Sequence, residues 1–165
     1  MSSWIYAQQQ TPAAPSAAHS AGLAAPAPAS TMTPVQRADA TPKGGLKNPY
    51  SDADAAVLAA GGRLFMNYAC SGCHGGTGGG GMCPPMTDGV WVYGGDDDTL
   101  FRLIAYGSQD LQGKGYTRKG MENVVAPMPA MGQIVKTDDD LWRILAWVRS
   151  VYHGPPECKF GCTGN

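Results

Sequence analysis

Residues 69–76 read ACSGCHGG, so Cys70 and Cys73 stand three apart and His74 follows at once. C-x-x-C-H at that spacing is the attachment pattern of a c-type haem. The two thiols reach one edge of the porphyrin from a single helical turn and add across its vinyl groups as thioethers. The adjacent imidazole is then brought over the iron as the proximal ligand. Two other chemistries use paired cysteines. A thioredoxin-like redox pair belongs on a βαβ frame, and no strand pattern is visible here. A four-ligand zinc site needs a second pair at suitable spacing, which the chain lacks. One covalent haem c, held by Cys70 and Cys73, is the expected cofactor.

The second axial ligand must come from farther along the chain. Of eight methionines, Met66 falls in the expected first helix, and Met82 and Met86 sit close to the attachment site. Met121, Met128 and Met131 lie in the long loop before the last helix, where a ligand could reach the opposite haem face. His19 and His153 are expected to face solvent. If one of these methionines is the second ligand, as the resemblance given below implies, the pair raises the potential and fills both axial positions. No position is then open for oxygen or peroxide, and the expectation is an electron carrier and not an enzyme.

The elements that position these residues follow from pattern. Three helices are expected. The first covers about 52–69, with Ser51 as N-cap, Asp52 and Asp54 in its first turn, and a stripe of Ala55, Leu58, Ala59, Gly62, Phe65 and Met66. The second begins in GGDDDTLFRLIAYG, with Leu100, Leu103 and Ile104 inward and Gly107 as C-cap. The third is KTDDDLWRILAWVRSVY, started by a Thr137–Asp140 pair and buried along Leu141, Ile144, Leu145 and Val148. Residues 75–81, GGTGGGG, suit close backbone approach to a cofactor. They are not a phosphate loop, since no Gly-Lys-Ser/Thr follows. With glycine-rich loops and no convincing strand, three helices make a poor apolar core, so something large and apolar must fill the centre.

Composition sets the outer limits. Charged residues are 15% of the chain and its formal net charge is −1, which points away from nucleic acid and from broad membrane-surface binding. No transmembrane segment is expected, and residues 1–10 do not read as a signal peptide. If the protein is exported, its leader is not in this sequence. Beyond the haem pair, Cys83, Cys158 and Cys162 suit an oxidising compartment. One disulfide among them is expected, with its pairing open. Residues 11–42 carry hardly an apolar side chain larger than alanine, and 1–42 reads as an extended arm, either a linker or a partner-bound segment. The haem-bearing domain is expected over 43–156, followed by a cysteine-containing tail, 157–165.

Over about residues 50–153 the sequence resembles the class I cytochrome c family, an all-α fold of three main helices around one haem. In that resemblance Gly62 is where the first helix packs closely on the last. Trp147, in ILAWV, is the aromatic of the terminal helix, while Met66 stands where the first helix usually carries an aromatic. CPPM at 83–86 resembles the Gly-Pro-x-Leu stretch, which makes the Pro84 carbonyl the acceptor for His74. APMPAMG resembles the Met-Pro loop and puts Met128 on iron, with Met131 as the alternative. Trp91, Tyr93, Arg102 and Arg118 are candidates to wall the pocket or to pair with haem propionates, and each could equally be core or surface.

The stretches WVYGGDDDTLFRLIAYGSQDLQG and DDDLWRILAWVRSVYHG are similar to a narrower group. These are the cytochromes, including the c-L type, that accept electrons from periplasmic quinoprotein alcohol dehydrogenases. The resemblance implies a periplasmic one-electron carrier, filled by such a dehydrogenase and emptied into another cytochrome or an oxidase. A different expectation is a tethered haem module or subunit of a larger respiratory oxidase or dehydrogenase complex, with residues 1–42 as its arm.

Overall fold

The computed structural model describes residues 30–162, and none of these lies in a β-strand. Five helices follow in order: α1 Pro34–Ala40, α2 Ala55–Asn67, α3 Ser71–His74, α4 Asp97–Gly113 and α5 Asp138–Ser150. A 3₁₀ turn covers Pro156–Cys158. The three main helices are thus α2, α4 and α5. Among the described residues no helix is long and apolar enough to cross a membrane.

Helix α2 starts three residues later than its acids suggest. Asp54, not Ser51, is the N-cap, and its carboxylate accepts the N–H groups of Ala56 and Val57. The buried stripe is Val57, Gly61 and Phe65, so the helix is turned by about one residue from the expected face. Met66 is 52% exposed. The cause lies in α5. A Cβ on Gly61 would meet the Arg143 carbonyl oxygen, whereas one on Gly62 would meet only the Trp147 indole. Gly61 is therefore the close-approach glycine, and Phe65, one turn later, packs its ring on Trp147 with centroids 4.4 Å apart.

Helix α5 is capped by Thr137, whose hydroxyl accepts the Asp140 N–H at 3.1 Å. Asp140 does not return the bond, because its carboxylate accepts the Tyr68 hydroxyl instead. Leu141, Ile144, Leu145 and Val148 are buried as the periodicity requires. Phe101 of α4 meets Trp142 at 4.2 Å and closes the core between these helices.

Residues 30–42, expected to belong to the N-terminal arm, pack against the rest of the domain. Residues 1–29, His19 among them, lie outside the described residues. From Ser30 onward the chain is part of the domain. Thr33 and Gln36 form a capping box with Pro34 at the first helical position, and Ala38 is 1% exposed. Arg102 fixes this segment. Its guanidinium donates to the carbonyls of Ala38, Thr41 and Pro42 and pairs with Asp98 at 2.9 Å. Asp98 also accepts the Leu46 N–H and the Tyr116 hydroxyl. These charge-assisted bonds hold Asp98 below the usual carboxylate range, against the opposing effect of burial. Removing either partner would leave the other as an unpaired buried charge, which is how this cluster fixes the position of the segment.

The tail is docked too. Cys158 and Cys162 form a disulfide. The Cys158 carbonyl accepts the Trp91 indole N–H at 3.0 Å, and Lys159 pairs with Asp52. Residues 163–165 lie outside the described residues.

Candidate functional site

Between α2, α4, α5 and the loops around 83–94 and 124–128 lies a cavity that is partly open to solvent. Its walls are almost wholly apolar. Leu100, Leu103 and Ile104 come from α4, Phe65 from α2, and Ile144, Leu145 and Val148 from α5. The void demanded by a sparse helical core is present.

The attachment segment enters this cavity by a sharp turn. Helix α2 ends at Asn67, and Ala69 takes φ 59°, a left-handed conformation rarely held by a residue with a side chain. The chain then winds into the single turn α3 that carries Cys73 and His74, with Cys70 at its N-cap. Cys70 and His74 line the cavity, and burial raises the Cys70 thiol. Cys73 does not line it; its thiol faces Cys83, which does. Burial first, and the Cys73 thiol second, push Cys83 up to about 11, which keeps it a thiol near neutral pH.

His74 is oriented from behind. Its Nδ1 lies 2.9 Å from the Pro84 carbonyl oxygen. A carbonyl can only accept, so Nδ1 carries a proton, and in the neutral imidazole Nε2 is then the nitrogen with the lone pair. Pro84 is held by the glycine loop: Gly80 N–H donates to the His74 carbonyl, and Cys83 N–H donates to the Cys73 carbonyl. A Cβ on Gly75 would meet the Gly80 carbonyl at 2.7 Å, and one on Gly81 the Cys73 carbonyl at 2.8 Å. The run of glycines thus lets the loop fold onto the attachment turn.

Met128 lines the same cavity, on the loop between α4 and α5. Met131 does not; it packs on the core, with its N–H on the Ile104 carbonyl. Trp91 and Tyr93 are walls. Trp91 stacks on Tyr152 with centroids 5.5 Å apart, and the buried Arg149 guanidinium covers it as well. The Tyr93 hydroxyl accepts from Gln112 at 2.9 Å. The two arginines proposed as wall or propionate partners are not at the cavity. Arg118 is exposed and donates to the Glu122 carbonyl, and Arg102 is turned toward α1. His153 is exposed as well.

The donor set fits a haem. An imidazole with a free Nε2, a thioether, a cavity cysteine with a second cysteine three residues on, and flat apolar walls converge on one void. The cytochrome c family model matches residues 58–152. The chain belongs to the cytochrome c family. As a cytochrome c it carries covalently bound haem c and serves electron transfer.

Cytochrome c-L of Methylorubrum extorquens is 31% identical over 113 residues, covering 67% of this chain and 48% of that one. The CcoP subunit of the cbb3-type cytochrome c oxidase of Cereibacter sphaeroides is 40% identical over 58 residues, 33% of this chain and 20% of that one. The solved cytochrome CL of Methylophaga aminisulfidivorans is 31% identical and covers 66% of this chain and 61% of that one, with a TM-score of 0.49. The chain therefore spans about half the length of cytochrome c-L and about a fifth of the oxidase subunit.

Proposed function

We propose that this cytochrome is a periplasmic one-electron carrier whose haem iron is held between His74 and Met128, and that a quinoprotein alcohol dehydrogenase reduces it. One observation carries the ligand assignment: His74, fixed through Pro84, and Met128 line one apolar cavity. The likeness to cytochrome c-L supports the choice of donor.

The bound haem supplies an iron that changes charge by one between its ferric and ferrous forms. The chain's own residues do the rest. Cys70 and Cys73 hold the macrocycle by its edge. Pro84 keeps the His74 proton on Nδ1 and makes the imidazole a stronger donor. The apolar walls from α4 and α5 exclude water, which favours the less charged iron, as does a thioether ligand.

Electron exchange needs a partner to come close to the cofactor edge. Residues 75–87 and 123–135, which flank the attachment turn and carry Met128, contain no charged residue. Within them Met82 is 64% exposed, while Met86 and Met131 pack inward. With a net charge of −1 there is little field to steer association. The test is stopped-flow reduction by a purified quinoprotein alcohol dehydrogenase, with and without its alcohol, over a range of salt. Reduction that requires alcohol and changes only mildly with salt is expected. No reduction under any of these conditions would overturn the choice of partner.

The CcoP match favours a second reading of the same haem site, as the electron-transfer module of a larger oxidase complex. Co-purification with oxidase subunits through the N-terminal segment, together with failure of the dehydrogenase test, would decide for it.

A further inference from the structure

We propose that Ser108 is a positioning residue for Met128, gripping the main chain of that residue at both its polar atoms and so holding the thioether in the haem cavity. The proposal rests on the reading of Met128 as an iron ligand.

The grip is built by a break in α4. Gly107 has φ 76° and ψ 166°, so the helical path is interrupted and Ser108 begins a new turn. An unbroken helix would bond the Ser108 N–H to the Ile104 carbonyl. Here that carbonyl accepts from Met131 at 2.9 Å, and the next one, Ala105, accepts from Gly132 at 3.1 Å. The freed Ser108 N–H donates to the Met128 carbonyl at 2.9 Å. In return the Met128 N–H donates to Ser108 Oγ at 3.0 Å.

Both partners are well placed for this. Pro127 and Pro129 have no N–H, so Met128 carries the one donor in that stretch, and Ser108 takes it. Ser108 is 5% exposed and lines the cavity beside Met128. A Cβ on Gly107 would stand 2.8 Å from the Met128 carbonyl oxygen and 2.7 Å from the Ala130 nitrogen, so only glycine admits the loop this close. From below, Gln112 donates to the Ser108 carbonyl at 3.1 Å and to the Tyr93 hydroxyl at 2.9 Å, tying the grip to a cavity wall.

A neutral thioether binds iron weakly, and the loop that bears it has Val125, Ala126, Pro127 and Pro129 exposed. Met131 and Gly132 anchor the far side of the loop on α4, and at Met128 itself the hold is this pair of hydrogen bonds together with the iron. Weakening the pair should raise the fraction of protein in which the thioether is off the iron.

The test uses the haem-loaded protein and two variants, Ser108→Ala and Ser108→Thr. Ferric samples are compared by the near-infrared absorption of the thioether–iron bond and by the rate of azide binding. Ser108→Ala is expected to lose part of the absorption and to take up azide roughly five- to tenfold faster, the effect of one buried hydrogen bond. Ser108→Thr keeps the hydroxyl and should stay close to the parent. Equal spectra and azide rates for the parent and Ser108→Ala overturn the proposal, as does a Thr variant that opens as far as the Ala variant. A parent protein without the absorption overturns the Met128 assignment itself. Absorption lost in Met128→Ala but intact in Ser108→Ala leaves that assignment standing and removes the role of Ser108.

Discussion

Gly61 lies directly against the backbone of Arg143: a Cβ added to it would come within 2.1 Å of that residue's carbonyl oxygen. This contact sets the rotation of α2 on α5 and brings Phe65 onto Trp147. A carbonyl inside a helix cannot step aside without moving the helix. Gly61→Ala should therefore cost roughly 1–3 kcal/mol, as overpacking does, and disturb the cavity wall as well. Gly62→Ala meets the edge of an indole at 3.0 Å and should cost less. Urea midpoints of the two variants at unchanged slope measure the difference. Equal cost at both positions would contradict this account of the helix crossing.

The ligand assignment separates Met128 from Met131. Met128→Ala should open the iron to carbon monoxide and azide and lower the potential, since water or a stray base replaces a thioether. Met131→Ala should leave both nearly unchanged and register as a stability loss, because its side chain packs on the core. Spectroscopic titration with azide and a potentiometric titration of each variant give the answer. A swapped pattern moves the ligand by one loop position.

Glu122 and Asp88 form a second titratable feature, outside the cavity lining. Burial, then the facing Asp88 carboxylate, push Glu122 up to about 7 from 4.5, with Arg118 opposing. One of its oxygens is buried with no partner. The sign follows from linkage. Between about pH 4.5 and pH 7 the folded protein holds this proton more tightly than the unfolded chain, so rising pH removes stability across that window. Below it and above it this contribution is flat. Glu122→Gln mimics the protonated acid and should flatten that part of the slope, raising the melting temperature at about pH 8 relative to the parent. Parallel melting profiles for the two proteins would show that the carboxyl pair is not linked to folding.

Much of this protein was legible in its sequence, and the exceptions have physical causes. The attachment motif and the buried stripe of α5 rest on local spacing, which a sequence displays, and the His74–Pro84 contact followed from the family resemblance of CPPM. The start of α2 and its glycine were each misplaced by a short step. Several small residues are adjacent there, and only the partner helix decides which one faces it. Residues 30–42 read as arm because composition tracks apolar burial. Their anchor is the polar cluster around Arg102 and Asp98, distant in sequence. The Thr33–Gln36 capping box with Pro34 was the available signal. Gly107 was expected to end α4 and instead kinks it, because the loop bearing Met128 takes over the freed hydrogen bonds. The arginines were assigned by charge alone, and nothing local tells a propionate partner from the anchor of a loop.

The most direct test is where the haem is bonded. Cys70, Cys73 and Cys83 all lie at or beside the cavity, and the account assigns thioethers to the first two alone. Tryptic mapping by mass spectrometry, after extraction with acidified organic solvent, should find one haem retained on the peptide 64–102. It should be bonded at Cys70 and Cys73, with Cys83 left a free thiol. Haem that leaves with the solvent, or that is found on Cys83 in place of Cys73, would contradict the account.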